Sequence, residues 1–379
     1  MKKIAYIELD THAEIAANFM ELMQDSKEFS VDYYFSQRIL KSIGKHHPNI
    51  FLSENSMLLD QLKAKTYDLV IIGTVHRYFN LFNEICTKYQ TSVIVHNLNF
   101  TKISKFQLLK NIFKKDFKYR LKLLLKEDLL SAPNVFKNSK NLLVLDKNLA
   151  VGKFKFLPLF FNQFNENSGS QIFTIVIPGA VSQERRDYKK VLGKLEKLGW
   201  NNKSAENDAE FEKLRRSDKF VENDFAEEAS SVGATSQKVQ VVFLGKAKGK
   251  ELHWLQKFEK VLPENLTIKY FTEKVPQPLF DEWMNNADVL WCPIQSETEF
   301  FSQKEIYGKT KMSGNIGDAI KYGKIAVFPE KYSSDFDFII SEKKLDVFSF
   351  SGETSFDFSK DFNKEKVIKE LEDKLLLLL

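Results

Sequence analysis

Apolar positions in the first half of the chain come in short runs separated by helical spacing. Residues 4–9 read as a strand, 13–23 as a helix and 31–35 as a second strand. The runs at 68–73 (DLVIIG) and 92–96 (SVIVH) are continuously apolar, as strands covered on both faces of a parallel sheet must be. Residues 78–89 between them have helical spacing, and LLVL at 142–145 closes this half. Strands alternating with helices make βαβ units with right-handed crossovers. After a polar stretch at 162–170 the pattern restarts, with strands at 172–177, 239–245, 266–271, 288–293 and 324–329. The pattern predicts an α/β chain of two Rossmann-like parallel-sheet domains, 1–165 and 166–360, facing a central cleft. Ligands of open α/β sheets bind at the carboxyl ends of the strands. Residues 201–237 are polar and charged, an excursion outside both cores. Residues 361–379 predict a final amphipathic helix, with Val367, Ile368, Leu371 and Leu375 on one face.

Composition narrows the class. A length of 379 residues suits two domains. Hydrophobic residues at 43% and charged residues at 28% exclude wholesale disorder. The 34 Phe residues imply an aromatic core. Cys86 and Cys292, far apart in apolar contexts, exclude a disulfide framework or zinc ribbon and suit a reducing compartment. The first residues, MKKIAYIELD, lose their apolar character at Glu8 and Asp10, so no secretory leader is expected. No run approaches the roughly 18 apolar residues of a membrane span. A cytoplasmic protein is expected, soluble or bound to a membrane surface.

The net charge of +5 is too weak to signal nucleic-acid binding, but its distribution is uneven. Residues 102–126 carry nine Lys or Arg against the single acid Asp116, whereas 203–228 carry nine acids against five bases. Any anionic partner of the basic charge is therefore local.

Candidate chemistry lies in the loops after strand ends. The strand at 172–177 runs into Pro178 and Gly179, then Ser182, Arg185, Arg186, Asp187, Lys189 and Lys190. A glycine turn and a helix start supply N–H groups for phosphate, and arginines add bidentate charge suited to a diphosphate. Residues 303–324 form a second Gly- and Ser-bearing loop that opens a short helix ending at Gly323. It carries Glu305, Lys309, Lys311, Ser313, Gly314, Asn315 and Asp318. Ser313 and Asn315 are candidate caps, and the helix start would face an anion. Glu305 and Asp318 are carboxylates able to hydrogen-bond sugar or ribose hydroxyls. Asp10, Thr11, His12, Ala13 and Glu14 follow the first strand; Thr11 and Glu14 also fit a helix-capping box. Asp335-Phe336-Asp337, in an expected helix, and His46-His47-Pro48 are not expected to bind metal.

The chain resembles glycosyltransferases of the two-Rossmann-domain (GT-B) type, and within them the retaining family 4, also called group 1. That family's second domain carries a Glu, a Gly three residues on, a second acid followed by Ala, and a Gly that ends the helix before a strand. Glu305 with Gly308, and Asp318-Ala319 with Gly323, follow that order, with Asp as the second acid and the two acids 13 positions apart. The 179–190 loop is similar to the family's phosphate loop. The end of the strand at 92–96, with His96 and Asn97, resembles a Val-His-Asp ending whose His faces the donor sugar, and His76 ends the preceding strand.

The resemblance implies a metal-independent, retaining hexosyltransferase that moves a sugar from a nucleotide diphosphate donor to a glycan or lipid-linked acceptor, in cell-surface polysaccharide synthesis. It assigns His96 and Glu305 to the reacting sugar and Asp318 to ribose. Gly179, Arg185, Arg186, Lys190, Lys309, Lys311, Gly314 and Asn315 go to the diphosphate, and His12 and His76 to the acceptor side. No cofactor or metal is implied. The basic stretch 102–126 interleaves Phe106, Leu109, Phe113, Phe117 and Leu121 with its lysines, a composition suited to an anionic membrane surface and not to nucleic acid. The rival readings are a non-catalytic membrane-tethering module on the same scaffold and a sugar-nucleotide epimerase or hydrolase.

Overall fold

The computed structural model describes residues 1–45, 47–164, 172–200, 238–344 and 356–379. The 201–237 excursion, His46 and most of the polar stretch at 162–170 lie outside the described residues. The chain divides into two compact units, one of residues 1–165, 295–339 and 355–379, the other of 166–294 and 340–354.

A seven-stranded parallel sheet forms the centre of the first unit. Its strands are β1 (Lys2–Glu8), β2 (Phe29–Phe35), β3 (Ile50–Leu52), β4 (Leu69–Ile72), β5 (Thr91–Ile94), β6 (Asn141–Val144) and β7 (Phe154–Phe156). They lie in the order β3-β2-β1-β4-β5-β6-β7. The order reverses between β1 and β4, the switch point where open α/β sheets bind ligands. Register is in step across it, with Ile7 beside Ile72 and Ile72 beside Val93. Because side chains alternate, continuously apolar strands feed two cores. Ala5, Ile7, Val70, Ile72 and Val93 enter one layer; Ile4, Tyr6, Leu69, Ile71 and Ile94 enter the other. Helix Ala13–Met23 buries Ile15, Phe19, Met20 and Leu22 in the second layer. The final helix, Lys364–Leu376, adds Val367, Leu371 and Leu375 to that layer. Its amphipathic spacing is thus used in packing. Strands β3 and β7, three residues each, are too short to register as a period in the sequence.

A second sheet has six strands. Within it β8 (Phe173–Pro178), β9 (Val239–Lys246), β10 (Leu266–Phe271) and β11 (Val289–Trp291) lie parallel in the order β10-β9-β8-β11. Order reversal occurs here too, between β8 and β11. Helix Tyr188–Trp200 follows β8.

One element departs from the sequence pattern. Residues 303–306, read as the start of a loop, instead form β13 (Gln303–Ile306), which pairs antiparallel with β12 (Glu297–Phe300) in a hairpin. Its turn residues Phe301 and Ser302 both have positive φ, 49° and 56°, in the left-handed region that side chains with a Cβ seldom adopt. Tertiary bonds hold the turn. Asn111 Nδ2 donates to Phe301 O at 2.9 Å, and the buried Arg120 donates to Ser302 Oγ at 2.8 Å. Asp335–Asp337, expected in a helix, instead lies in irregular chain before Ile339, because no helical hydrogen-bond ladder forms there. Among the described residues, no helix is long and apolar enough to cross a membrane.

Candidate active site

Three adjacent strands of the first sheet, β1, β4 and β5, each end in a loop that carries one histidine. His12, His76 and His96 meet there. The His12 and His96 rings stack at 3.8 Å between centroids with 19° between planes. His76 stands edge-on to both, at 5.9 Å from His12 and 6.1 Å from His96. Parallel register at the switch point makes the cluster, because strands aligned in step deliver their carboxyl ends to one place.

Hydrogen bonds fix how these rings can act. His96 Nε2 lies 2.8 Å from the carbonyl of Gly73. A carbonyl only accepts, so Nε2 carries the proton and Nδ1 is left as an acceptor. Lys311 Nζ donates to Asn97 Oδ1 at 2.6 Å, which turns the Asn97 amide so that its Nδ2 meets His76 Nε2 at 3.3 Å. His76 Nε2 is therefore the acceptor and its Nδ1 bears hydrogen. Burial, reinforced by the Lys311 charge, pushes His12 down to about 4 and His76, which also feels His12, down to about 3. His96 is held well below the ordinary imidazole value, by burial first and then by its two neighbours. All three rings are neutral at neutral pH.

The turn that presents His12 is organised by a residue whose role the sequence pattern concealed. Glu8, the last residue of β1, is 1% exposed. Its carboxylate accepts the N–H groups of Asp10 and Thr11 at 3.0 and 3.3 Å and the Thr74 hydroxyl at 2.6 Å. Burial outweighs these bonds and raises its pKa to about 7. The capping box of Thr11 and Glu14 does not form; His12 is the N-cap and no side chain caps the helix. Gly73 makes room for the carboxylate, since a Cβ there would lie 2.6 Å from Glu8 Oε2. A lone acid after an apolar run gives no hint of such a position. Arg77, next to His76, is held by the buried Glu127 through a forked pair at 2.6 and 3.1 Å.

The segment after the hairpin brings further candidates. Glu305 on β13 is fully buried, and its carboxylate accepts the main-chain N–H of Asn99 and Phe100 at 3.3 and 3.0 Å. Burial raises its pKa, while the Thr310 hydroxyl and these N–H groups oppose the rise. Its bonds are thus made to the 3-10 turn Asn99–Lys102 that follows His96. Helix Gly314–Tyr322 starts at Ser313, whose side chain accepts Asn315 N–H, as its sequence suggests. Gly314 is exposed, and no atom lies within 4 Å of where its Cβ would stand. Asn315 Nδ2 donates to Asp318 at 3.1 Å, joining the expected phosphate and ribose residues on one helix turn. Lys309 is exposed.

In the second unit, Gly179 has φ +99°, which favours glycine, and the Arg186 guanidinium lies against it. Arg186 also donates to Ala180 O at 3.3 Å, while Arg185 is exposed. Lys190 makes an ion pair with Glu342, which is 2% exposed and also receives Trp291 Nε1 at 3.3 Å and Lys194 at 3.5 Å. Gly179 and Arg186 are thus together, and Lys190 is turned to Glu342.

No protein-family model matches the chain, and no curated protein matches it in sequence. Solved structures do. HepE from Anabaena, crystallised with UDP and glucose, is 10% identical over 99% of each chain with a TM-score of 0.53. MurG from Acinetobacter baumannii is 10% identical over 98% of this chain and 94% of its own, at 0.41. The E. coli heptosyltransferase WaaC, with ADP, is 7% identical over 89% and 92%, at 0.38. The HepE likeness establishes the fold alone: the chain has the two-Rossmann GT-B architecture expected from its sequence.

Proposed function

We propose that the protein is a glycosyltransferase moving a sugar from a nucleoside diphosphate sugar to an acceptor hydroxyl. The observation that carries this reading is the cluster of three neutral histidines at the order reversal of the first sheet. Neutral imidazoles, with the His76 and His96 tautomers fixed by their hydrogen bonds, suit hydroxyl-rich ligands, which need directed donors and acceptors more than charge. The shared fold with a protein crystallised with UDP and glucose supports the same ligand classes.

Glycosyl transfer passes through an oxocarbenium-like state while a diphosphate departs with growing negative charge. In the proposed mechanism His96 Nδ1 accepts a hydrogen bond from the reacting sugar and holds it in place. His12 and His76 line the acceptor side. Lys311, oriented by Asn97, stabilises phosphate charge with Lys309 and the helix N-terminus at Gly314 and Asn315, and Asp318 takes a ribose hydroxyl. In the second unit Gly179, Arg185 and Arg186 form a diphosphate loop, with Lys190 contributing from its pairing with Glu342. Glu305 acts through the Asn99–Lys102 turn, as a positioning residue. Residues 1–165 serve the acceptor and 166–360 the donor.

The family 4 resemblance supports the finer parts of the proposal: retention of configuration without a metal, a glycan or lipid-linked acceptor in cell-surface polysaccharide synthesis, and a cytoplasmic site at the inner membrane face. A thermal-shift panel of uridine, guanosine, adenosine and cytidine diphosphates tests the donor. A ligand at a hundred times its Kd stabilises the native state by about 2.7 kcal/mol. One nucleotide should raise the melting temperature by several degrees; no shift with any of the four would overturn the reading.

A further inference from the structure

Two helices of the first unit, Lys105–Ile112 and Phe117–Glu127, present an apolar face on each side. Their inner faces are ordinary, since Leu108, Ile112 and Leu123 are buried in the core. Their outer faces are not. Phe106 is 76% exposed, Phe113 78% and Leu125 74%, with Leu109 and Phe117 also exposed. The spacing of 106, 109 and 113 puts three of these on one stripe, and Phe117 and Leu125 form a second with the half-buried Leu121 between them. The stripes join where the Phe113 and Phe117 rings stack at 5.8 Å. Eight lysines between 102 and 126 surround the strip; every one is exposed, and none makes a salt bridge or side-chain hydrogen bond. Asp116 is the only acid among them.

We infer that this strip is a docking face for an anionic lipid bilayer. A water-facing helix has no reason to expose a continuous row of large aromatic and aliphatic groups. A duplex or other phosphate-rich polymer would answer the lysines and leave the Phe and Leu side chains in water, and single-stranded bases, which stack on aromatic rings, would leave Leu109 and Leu125 uncovered. A bilayer answers both at once: the apolar row enters the boundary between headgroups and acyl chains, while lysine stems lie along it and keep their ammonium groups among the phosphates. The buried Arg120 fixes the second helix by donating to Asn111 O and to Ser302 Oγ at the hairpin turn, so the strip is carried on a braced surface. This inference does not depend on the transfer reaction.

The test is co-sedimentation with phosphatidylcholine vesicles, with and without phosphatidylglycerol. The protein should bind only the anionic vesicles. Binding should weaken between about 0.1 M and about 1 M salt, as the screening length falls from roughly 10 to 3 Å. The triple variant Lys110→Glu, Lys114→Glu, Lys118→Glu should lose at least about a hundredfold in partitioning. Phe106→Ser with Phe113→Ser should lose at least about tenfold, with lysine charge intact. All five side chains are exposed, so an unchanged melting temperature verifies folding. Equal binding to neutral vesicles, no binding to either, or an unaffected triple variant overturns the inference. Indifference to the Phe substitutions overturns insertion of the apolar row. Tighter binding to single-stranded nucleic acid than to anionic vesicles assigns the face to that partner instead.

Discussion

The histidine end of the first sheet and the lysine-rich outer helices belong to one unit but handle polarity in opposite ways. At the sheet end, polar groups are answered internally: Glu8 by two N–H groups and a hydroxyl, Asn97 by Lys311, His96 by a carbonyl. On the outer helices eight lysines and a row of apolar side chains are left to the surroundings. The first arrangement suits a preorganised site, where groups must not reorganise when a ligand arrives. The second suits a surface completed by a partner. The energetic consequence is that the same size of chemical change should matter greatly in one region and little in the other.

Gly73→Ala should show the largest effect. Its methyl would lie 2.6 Å from Glu8 Oε2 and 2.9 Å from the Tyr6 hydroxyl, both on buried residues. Overpacking of this kind costs about 2 kcal/mol, readable from urea denaturation. If Gly73→Ala is no less stable than the wild type, the tight packing around Glu8 is absent in solution.

Acidification gives an intermediate effect, and its sign can be worked out. His12 and His76 fall from 6.5 to about 4 and about 3 in the folded state, so their stabilisation is present above pH 6.5 and is lost as pH drops toward those values. Glu8 rises from 4.5 to about 7, so its contribution is present below 4.5 and is lost as pH climbs through 7. His96 is lowered in the same sense, so three imidazoles oppose one carboxyl, and stability should fall by about 1 kcal/mol or more from pH 6.5 to 4.5. His12→Phe, which keeps a ring on His96, should flatten that loss, whereas Glu8→Gln should steepen it. Chemical denaturation at the two pH values checks both. The smallest effect belongs to the outer helices, where the lysine and Phe substitutions should change stability by less than about 0.5 kcal/mol.

The contrast also separates what the sequence reveals from what it hides. Continuous runs such as DLVIIG and SVIVH mark the parallel strands, and the clustering of Lys and Phe between 102 and 126 marks the outer helices, because both are local patterns. His76 and His96 can be placed at strand ends from their runs alone. Their meeting with His12 cannot, since it depends on strand order and register, which no local period encodes. The Glu297–Ile306 hairpin escaped for a related reason: its strands lack an apolar run, and its turn has Phe301 and Ser302 where a glycine would be expected. Tertiary bonds from Asn111 and Arg120 supply what the local sequence does not.

The proposed site assigns the reacting sugar to His96, so the most direct measurement is acceptor-dependent release of nucleoside diphosphate by the wild type and by His96→Ala, beside calorimetric binding of that nucleotide. Nucleotide affinity should stay within about threefold while transfer falls at least about a hundredfold, the pattern of an interaction made with the reacting sugar. Unchanged transfer in His96→Ala would contradict a catalytic role for the histidine cluster, and absence of transfer in the wild type with its binding nucleotide would contradict the glycosyltransferase reading itself.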